Sequence, residues 1–443
     1  MKVSVIGSGY VGLVSGVCLA EKGVDVICVD LDEDKIKVIN QGKSPIYEKG
    51  LDELLAKNIK NKFHATTDLE QAVINSDVSI ITVGTPFDGN KIDLQYIEEV
   101  SNQIGKALFK KEGYHLVVVK STVVPGTTEN VVLPRIEKYS RKRLGIDFGL
   151  GMNPEFLREG EAVLDFMFPD RIVLGGYDTK SHEVLAEIYS VFEGVDKLFV
   201  DIKSAELTKY TANCLLATLI SFSNEIANVA ASIGVDAKEV MHGVYMDKRF
   251  TPILEDNQRI YPSFISYLDA GCGFGGSCFP KDVKAFISFA NKTNNPTRLL
   301  NAVIDINDAQ PLKIIDLIKR HYSSLRGIKI AVLGIAFKPG TNDIRESPSL
   351  KITDILLREK AVVKAFDPVA EPAAISYFSG KVKFAKTLAD ALVDVQVVVI
   401  LTRWDEFKQV PELISGIHNA PLIVDGRRMI DKFSVPMYEG IGL

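Results

Sequence analysis

The chain has 443 residues, 46% of them hydrophobic and 25% charged, and 52 Lys and Arg against 57 Asp and Glu leave a net charge of −5. These proportions belong to ordinary globular domains and exclude disordered and collagen-like classes. A negative excess lacks the clustered cations that nucleic-acid binding needs, and the length predicts two or three domains at roughly 100 to 200 residues each.

The five cysteines (Cys18, Cys28, Cys214, Cys272 and Cys278) are scattered and contain no C-x-x-C pair. Neither a disulfide framework nor a metal site is expected. No uninterrupted apolar run approaches the ~18 residues of a membrane span, and the N-terminus enters a strand pattern directly. The expectation is a cytoplasmic protein with no membrane partner.

In chain order, Lys2 to Ile6 reads as a strand, Gly7-Ser8-Gly9-Tyr10-Val11-Gly12 as a turn, and Leu13 to Glu21 as a helix stopped by Gly23. Val24 to Val29 is a second strand, ending at Asp30, eighteen residues after Gly12. A G-x-G-x-x-G in this setting carries a dinucleotide: the first glycine makes the turn, the second lets backbone approach a pyrophosphate, and the helix start offers free N–H groups. Asp30 would accept from a ribose 2′-hydroxyl and repel a 2′-phosphate, so NAD is the expected cofactor. Val78 to Val83 and Leu116 to Val119 are further buried strands, and strands alternating with helices predict a parallel doubly wound sheet.

From about residue 205 to Ile233, apolar side chains at Ala212, Leu215, Leu219, Phe222, Ile226, Ala230 and Ile233 mark one long helix closed by Gly234. Its other faces are also apolar, which predicts burial between domains or subunits. A second α/β unit starts with a strand at Ile328 to Leu333. It continues through a helix from Pro348 to about Arg358 and strands at Ala361 to Asp367, Val395 to Leu401 and Leu422 to Val424. The predicted fold is α/β, with two Rossmann-like doubly wound domains joined by a long central helix. Its segments are 1–200 for the cofactor, 201–310 for the helical region and 311–443 for the second α/β domain. The second domain lacks the glycine fingerprint but carries Lys338, Arg345 and Arg427 near strand ends, where open α/β sheets bind ligands, so an anionic ligand such as a nucleoside diphosphate is expected there.

Gly273-Phe274-Gly275-Gly276-Ser277-Cys278-Phe279-Pro280-Lys281-Asp282 is the most informative segment. Its glycines are expected to let backbone lie close to a ligand. Pro280 marks a helix start, which with Lys281 would favour the Cys278 thiolate. Cys18, Cys28 and Cys214 fit buried structural thiols, and Cys272 has no evident role. A nucleophilic thiol beside NAD addresses a particular problem. An aldehyde gives up a second hydride only once a nucleophile has made it tetrahedral, and the resulting thioester hydrolyses to an acid. A four-electron oxidation of alcohol to carboxylate follows.

The residues resemble the nucleotide-sugar dehydrogenases, in their UDP-glucose 6-dehydrogenase branch. The resemblance runs the whole chain: Val5 to Gly12 with Asp30, Val83-Gly84-Thr85-Pro86, Lys120-Ser121-Thr122-Val123, Asn153 to Gly160, Lys209 with Asn213, Gly273 to Asp282, and Phe337 to Ser347. It implies Cys278 as nucleophile, Asp282 as the group that activates water or accepts a proton, and Lys209 as the stabiliser of an oxyanion at the sugar C6. Asn213 shares a helix face with Lys209, while Thr122 and Glu155 would hold water, Glu155 as acid or base. For NAD it implies Gly7, Gly9, Val11, Gly12, Asp30, Lys35, Thr85, Thr122, Glu159, Lys281 and Arg345. For the sugar nucleotide it implies Glu155, Phe156, Leu157, Arg158, Glu159, Lys209, Asn213, Tyr267, Gly275, Phe337, Lys338 and Arg427. The family's Asp-x-Arg-(Ile/Phe) motif falls at Asp247 to Phe250, twenty-nine residues before Cys278 when counted from Arg249, whereas Arg259 suits the spacing better and the motif less. Both arginines remain candidates. The implied partners are a nucleotide sugar, UDP-glucose foremost, and a second copy of the chain joined through the central helix. The competing functions are oxidation of GDP-mannose or a UDP-N-acetylhexosamine, ligand binding without turnover, and cysteine hydrolysis. Retention of Cys278, Lys209 and Asp282 weighs against binding alone, and the lack of histidine near Cys278 in sequence weighs against a hydrolase.

Overall fold

The computed structural model describes residues 1–89 and 91–443. It comprises two compact units, Met1–Ala212 and Asn213–Leu443. In the first, strands β1 (Lys2–Ile6), β2 (Asp25–Val29), β3 (Phe63–Thr66), β4 (Val78–Ile81), β5 (His115–Val119), β6 (Phe148–Met152), β7 (Ile172–Gly176) and β8 (Lys197–Val200) form one sheet. Its order is β3-β2-β1-β4-β5-β6-β7-β8. All pairings are parallel except β6 with β7. Helices cover both faces, so alternate residues of one strand enter opposite cores: Val5, Ile80 and Val118 on one side, Ile6, Ile81 and Val119 on the other. The strand order reverses around β1, which puts a ligand crevice at the carboxyl ends of β1 and β4.

In the second unit, β9 (Lys329–Leu333), β10 (Val362–Phe366), β11 (Lys383–Phe384), β12 (Val397–Ile400), β13 (Leu422–Asp425) and β14 (Tyr438–Gly440) form an all-parallel sheet in the order β11-β10-β9-β12-β13-β14. Its first five strands repeat the winding of β1 to β5. The likeness reaches the turns: Gly7 has φ +107° and donates to the Val29 carbonyl at 2.7 Å, and Gly334 has φ +91° and donates to Phe366 at 2.8 Å. The carboxylates that follow β2 and β10 differ in use. Asp367 is buried and accepts from the backbone N–H groups of Ile335, Ala336, Val369 and Ala370, so it is consumed by its own turn.

The long helix, Ile202–Ser232, spans the boundary between the units. Within the single chain its faces differ in burial. Leu215, Phe222, Val229 and Ile233 are exposed, while Glu206, Lys209, Asn213, Ser221 and Asn224 are buried. Much of the apolar periodicity therefore lies on the outer face of the single chain, and the inner face combines those polar groups with the buried Tyr210, Cys214, Ala217, Ala227 and Ala230. By length and composition this helix could cross a membrane, which the broken apolar runs did not suggest. A bilayer would leave its buried polar side chains needing partners all the same.

Candidate functional site

The glycine turn is built as the spacing predicts. A Cβ on Gly12 would lie 1.8 Å from the Gly7 carbonyl, so that helix closes onto the turn only with glycine there; at Gly9 the same direction is open within 4 Å. The following helix, Tyr10–Glu21, starts at Gly9 with no side-chain cap and no acidic residue in its first turn, so the dipole and N–H groups there suit a phosphate. Asp30 accepts from the Ser8 backbone at 2.8 Å, the Ser8 hydroxyl at 2.6 Å and the Asp32 backbone at 3.0 Å. Partial burial pushes its pKa up, but these bonds and Lys35 outweigh it and hold the carboxyl below its usual range. Lys35 lies 4.0 Å from Asp32, Val11 is half-buried, and the Thr85 hydroxyl donates to the Thr122 carbonyl at 2.8 Å. The first unit therefore has an open cradle and an ionised acceptor at the crevice, a fit for a dinucleotide.

Tyr10 donates its hydroxyl to Glu48, and Glu48 accepts from the backbones of Gly160 at 2.7 Å and Ala162 at 2.9 Å. This carboxylate, invisible to motif reading because it lies in an irregular stretch, ties the Glu159-Gly160 turn to the cofactor helix.

Three charged side chains are buried together past β5 and β6. Lys209 and Glu155 pair at 2.9 Å, and Glu155 also accepts from the Leu157 backbone at 2.7 Å. Burial favours the neutral carboxyl of Glu155, and Lys209, the Leu157 N–H and Lys120 overcome it, leaving the group below its ordinary pKa. The Lys209 ammonium also faces the Phe156 ring, which Arg171 covers as well. Arg158 is turned away to Asp165 and Glu161. The pair combines a cation fit to meet a developing oxyanion with a carboxylate able to take a proton.

In the second unit, Cys278 is the N-cap of the helix Phe279–Lys292 and is half-exposed, while the other four cysteines are buried. Asp282, one turn on, is 1% exposed and is held at 2.6 Å by Asn213 and at 2.5 Å by Lys281. The loop glycines also answer to a close approach within their own unit. A Cβ on Gly275 would lie 2.2 Å from the Glu346 carbonyl, and one on Gly276, at φ +81°, would lie 2.7 Å from the Phe337 ring. They admit the Phe337 to Ser347 loop of the same unit, to which Gly276 also donates at 2.9 Å through the Arg345 carbonyl. Arg345 grips Asp343 at 2.7 Å yet borders a cavity of about 1110 Å³ together with Pro280 and Lys284. Lys338 lies over Phe337, and the Tyr267 ring is tilted against that of Phe279, centres 6.3 Å apart, next to Cys278. Arg427 donates to the Leu401 and Gly273 carbonyls, which fastens the sheet end to the thiol loop.

The two candidate arginines differ. Arg259 donates to the Met246 and Thr251 carbonyls and the Thr251 hydroxyl at 2.7 to 3.1 Å, holding its own loop closed. Arg249 is 81% exposed and meets only its near neighbour Asp247 among the contacts described.

Comparison with known proteins finds three family models along the chain. They are the UDP-glucose/GDP-mannose dehydrogenase family NAD binding domain at residues 1–193, the central domain at 203–309 and the UDP binding domain at 331–432. The UDP-glucose 6-dehydrogenase of Haloferax volcanii is 40% identical over 100% of both chains. The GDP-mannose 6-dehydrogenase of Azotobacter vinelandii is 43% identical over 84% of this chain and 82% of its own. Among solved structures, a UDP-glucose dehydrogenase from Pyrobaculum islandicum superposes with a TM-score of 0.90 at 35% identity, covering 100% of this chain and 97% of that one.

Proposed function

Because the chain belongs to the UDP-glucose/GDP-mannose dehydrogenase family, NAD-dependent dehydrogenases of nucleotide sugars, we propose that it oxidises UDP-glucose to UDP-glucuronate through a covalent adduct on Cys278. The observation that carries the chemistry is a half-exposed thiol at a helix N-cap with a buried, doubly held carboxylate one turn away. NAD, when bound, takes up a hydride from the sugar C6 in each of two rounds. In the first round the C6 hydroxyl passes its proton through water to Glu155 and becomes an aldehyde, the oxygen facing Lys209. The Cys278 sulfur then adds to C6, and Lys209 meets the charge that develops on the oxygen. Loss of the second hydride leaves a thioester on Cys278. Water attacks that carbon with Asp282 as proton acceptor, the C–S bond breaks, and the carboxylate leaves. The overall balance is one alcohol, two NAD and one water giving one carboxylate, two NADH and three protons. Thr122 and Glu155 hold water beside the reacting oxygen.

Apart from Arg158 and Arg259, the remaining residues named from the resemblance are assigned the contacts it implies, with Asp30 on the ribose. Asp30→Ala should raise the NAD dissociation constant by roughly tenfold or more, the loss of a hydrogen bond to a charged group, with nucleotide-sugar affinity little changed. Equal kcat/KM with NADP in the unmodified enzyme would rule out this role. UDP-glucose is favoured over GDP-mannose and UDP-N-acetylhexosamines by a UDP-glucose 6-dehydrogenase relative that matches over 100% of both chains. An NADH assay across these sugars tests it, and turnover confined to GDP-mannose would replace the substrate while keeping the chemistry.

Arg249 is the substrate arginine in this proposal, since Arg259 is occupied by its loop. Arg249→Ala should lower kcat/KM for the sugar by about 2 kcal/mol or more without lowering the melting temperature. Arg259→Ala should do the reverse, and an unchanged kcat/KM in Arg249→Ala would end the assignment.

The partner is a second copy of this chain. Leu215, Leu219, Phe222, Ile226, Val229 and Ile233 follow one another by alternating four and three residues, the seam spacing of paired helices, and most of that seam is exposed. Phe222→Glu should convert a dimer to a monomer in sedimentation velocity, and a monomeric unmodified protein would refute the pairing. Five free cysteines support a reducing, cytoplasmic setting.

A further inference from the structure

Asn307 lies in the middle of the helix Arg298–Lys319 and is 9% exposed. Its side chain answers both backbone groups of Phe274 in the thiol loop: Oδ1 accepts from the Phe274 N–H at 2.7 Å, and Nδ2 donates to the Phe274 carbonyl at 3.1 Å. One amide thus does for this residue what a neighbouring strand would do. Gln310, one turn along the same helix, donates to the Gly271 carbonyl at 2.8 Å, and Asn224 Oδ1 accepts from the Gly271 N–H, also at 2.8 Å. Both backbone groups of Gly271 and of Phe274 are therefore paired by neutral side chains.

Sequence and geometry both mark the position. Asparagine is a weak helix former, because its side chain competes for nearby backbone, and Pro311, four residues on, has no N–H to give to the Asn307 carbonyl. A helix under no other demand would place neither residue here. Gly273 has φ +99°, and a Cβ there would lie 2.9 Å from Asn307 Oδ1, so the glycine and the amide are fitted to each other. Phe274 and Asn307 also border the cavity of about 1110 Å³, together with Pro280. On that side the loop has open space behind it, and hydrogen bonds rather than close packing set its place.

From Phe274 the restraint runs on to the sulfur. The Phe274 ring meets that of Phe279 edge-on, centres 6.0 Å apart, and Gly276 donates to the Arg345 carbonyl at 2.9 Å. Cys278 follows Gly276 and precedes Phe279, and its own carbonyl accepts from Asp282 at 2.8 Å as the helix begins. We propose that Asn307, seconded by Gln310, is a positioning residue for Cys278: it holds the loop so that the sulfur meets the aldehyde carbon in the second oxidation, and it has no part in the first. A side-chain amide suits this task, because it offers a donor and an acceptor and adds no net charge that would act on the thiolate or on Asp282. The inference rests on the reading of Cys278 as the nucleophile.

The test uses the full chain with Asn307→Leu, which keeps the side chain's shape and loses both hydrogen bonds, and with Gln310→Met, which loses only the bond to Gly271. In a single turnover of UDP-glucose with excess NAD, the first NADH should appear within about twofold of the unmodified rate. When the nucleotide-sugar aldehyde is supplied instead, only the second oxidation is observed, and kcat should fall by roughly tenfold or more in Asn307→Leu, the scale on which misplacing a reacting group acts. Gln310→Met should show a smaller fall of the same kind. Hydrogen exchange of the peptide over residues 271 to 278 should quicken in both variants. Ile318→Val, which trims the buried core under the far end of the same helix, controls for stability: it should lower the melting temperature and leave the aldehyde rate unchanged. An Asn307→Leu enzyme that slows both oxidations equally, or neither, overturns the proposal, and where that variant does not fold the same comparison in Gln310→Met decides. An unmodified enzyme that makes no NADH from any nucleotide sugar, or a Cys278→Ala enzyme that oxidises the aldehyde at the unmodified rate, fails the thiol reading instead, so the two failures are distinguishable.

Discussion

Cys278→Ala should abolish acid production while leaving NAD and nucleotide sugar able to bind. The glycine cradle and Asp30 lie in a different unit from the thiol, and the helix that Cys278 caps keeps its backbone when a side chain that makes no cap bond is trimmed. The first hydride transfer needs no sulfur, so slow formation of at most one NADH per sugar should survive, with aldehyde trappable by an added amine. The loss in the second oxidation should reach several orders of magnitude, because an aldehyde with no covalent partner has no tetrahedral carbon from which hydride can leave. Cys278→Ser separates the steps further. Its poorly ionised hydroxyl could still add to the aldehyde, but the resulting ester hydrolyses less readily than a thioester, so mass spectrometry should find an adduct on the peptide containing residue 278. Two NADH and a uronic acid from Cys278→Ala at near the original rate would mean that water supplies the nucleophile.

What the sequence disclosed and what it hid follow from the range of the interactions. The dinucleotide turn is local: Gly7, Gly9, Gly12 and Asp30 act through backbone geometry within one β-turn-helix-β unit, so spacing alone was enough to find it. β6 was passed over because Gly149 and Gly151 break any strand pattern, and their glycines answer to distant side chains: a Cβ at Gly149 would meet the Tyr114 hydroxyl at 2.0 Å. The loop glycines Gly275 and Gly276 were visible, but the loop packed on them was not, since the Phe337 to Ser347 segment is some sixty residues away. The long helix was located correctly, but which of its faces the chain itself covers was not legible. Periodicity reports which side is apolar and says nothing about which side is covered, and here buried Glu206 accepts from Gly126, at 2.5 Å, and from Thr128, partners that no spacing rule connects to it. Lys120 stood inside a recognised motif with no sign of its burial, because a buried charge can be told from a surface one only in three dimensions.

Lys209→Ala should cost activity and stability together, and pH separates the two. Lys209 and Glu155 are 4% and 7% exposed and pair at 2.9 Å. Removing the ammonium deletes the cation that meets the C6 oxygen, a loss of about 100- to 1000-fold in kcat by the usual worth of such a contact. It also leaves a buried carboxylate short of its main partner, a cost of about 3 to 5 kcal/mol. The sign of the pH effect follows from Glu155. In the unmodified protein burial raises its pKa and Lys209 more than compensates, so the pair's contribution is fully present above the unfolded carboxyl pKa and is lost as pH falls through the depressed folded value. In Lys209→Ala burial acts with less opposition, the carboxyl is raised, and the folded state takes up a proton that the unfolded state at neutral pH does not hold. The variant should therefore be most destabilised, relative to the unmodified chain, near pH 8, and the gap should narrow as pH is lowered towards 5. Urea denaturation of both proteins at those two values measures it. Restoring the lysine's volume without its charge, in Lys209→Met, should reproduce the stability profile and the rate loss. A destabilisation that is the same at both values would mean that the Lys209–Glu155 bond contributes by packing and not by charge, and the oxyanion role of Lys209 would lose its electrostatic basis.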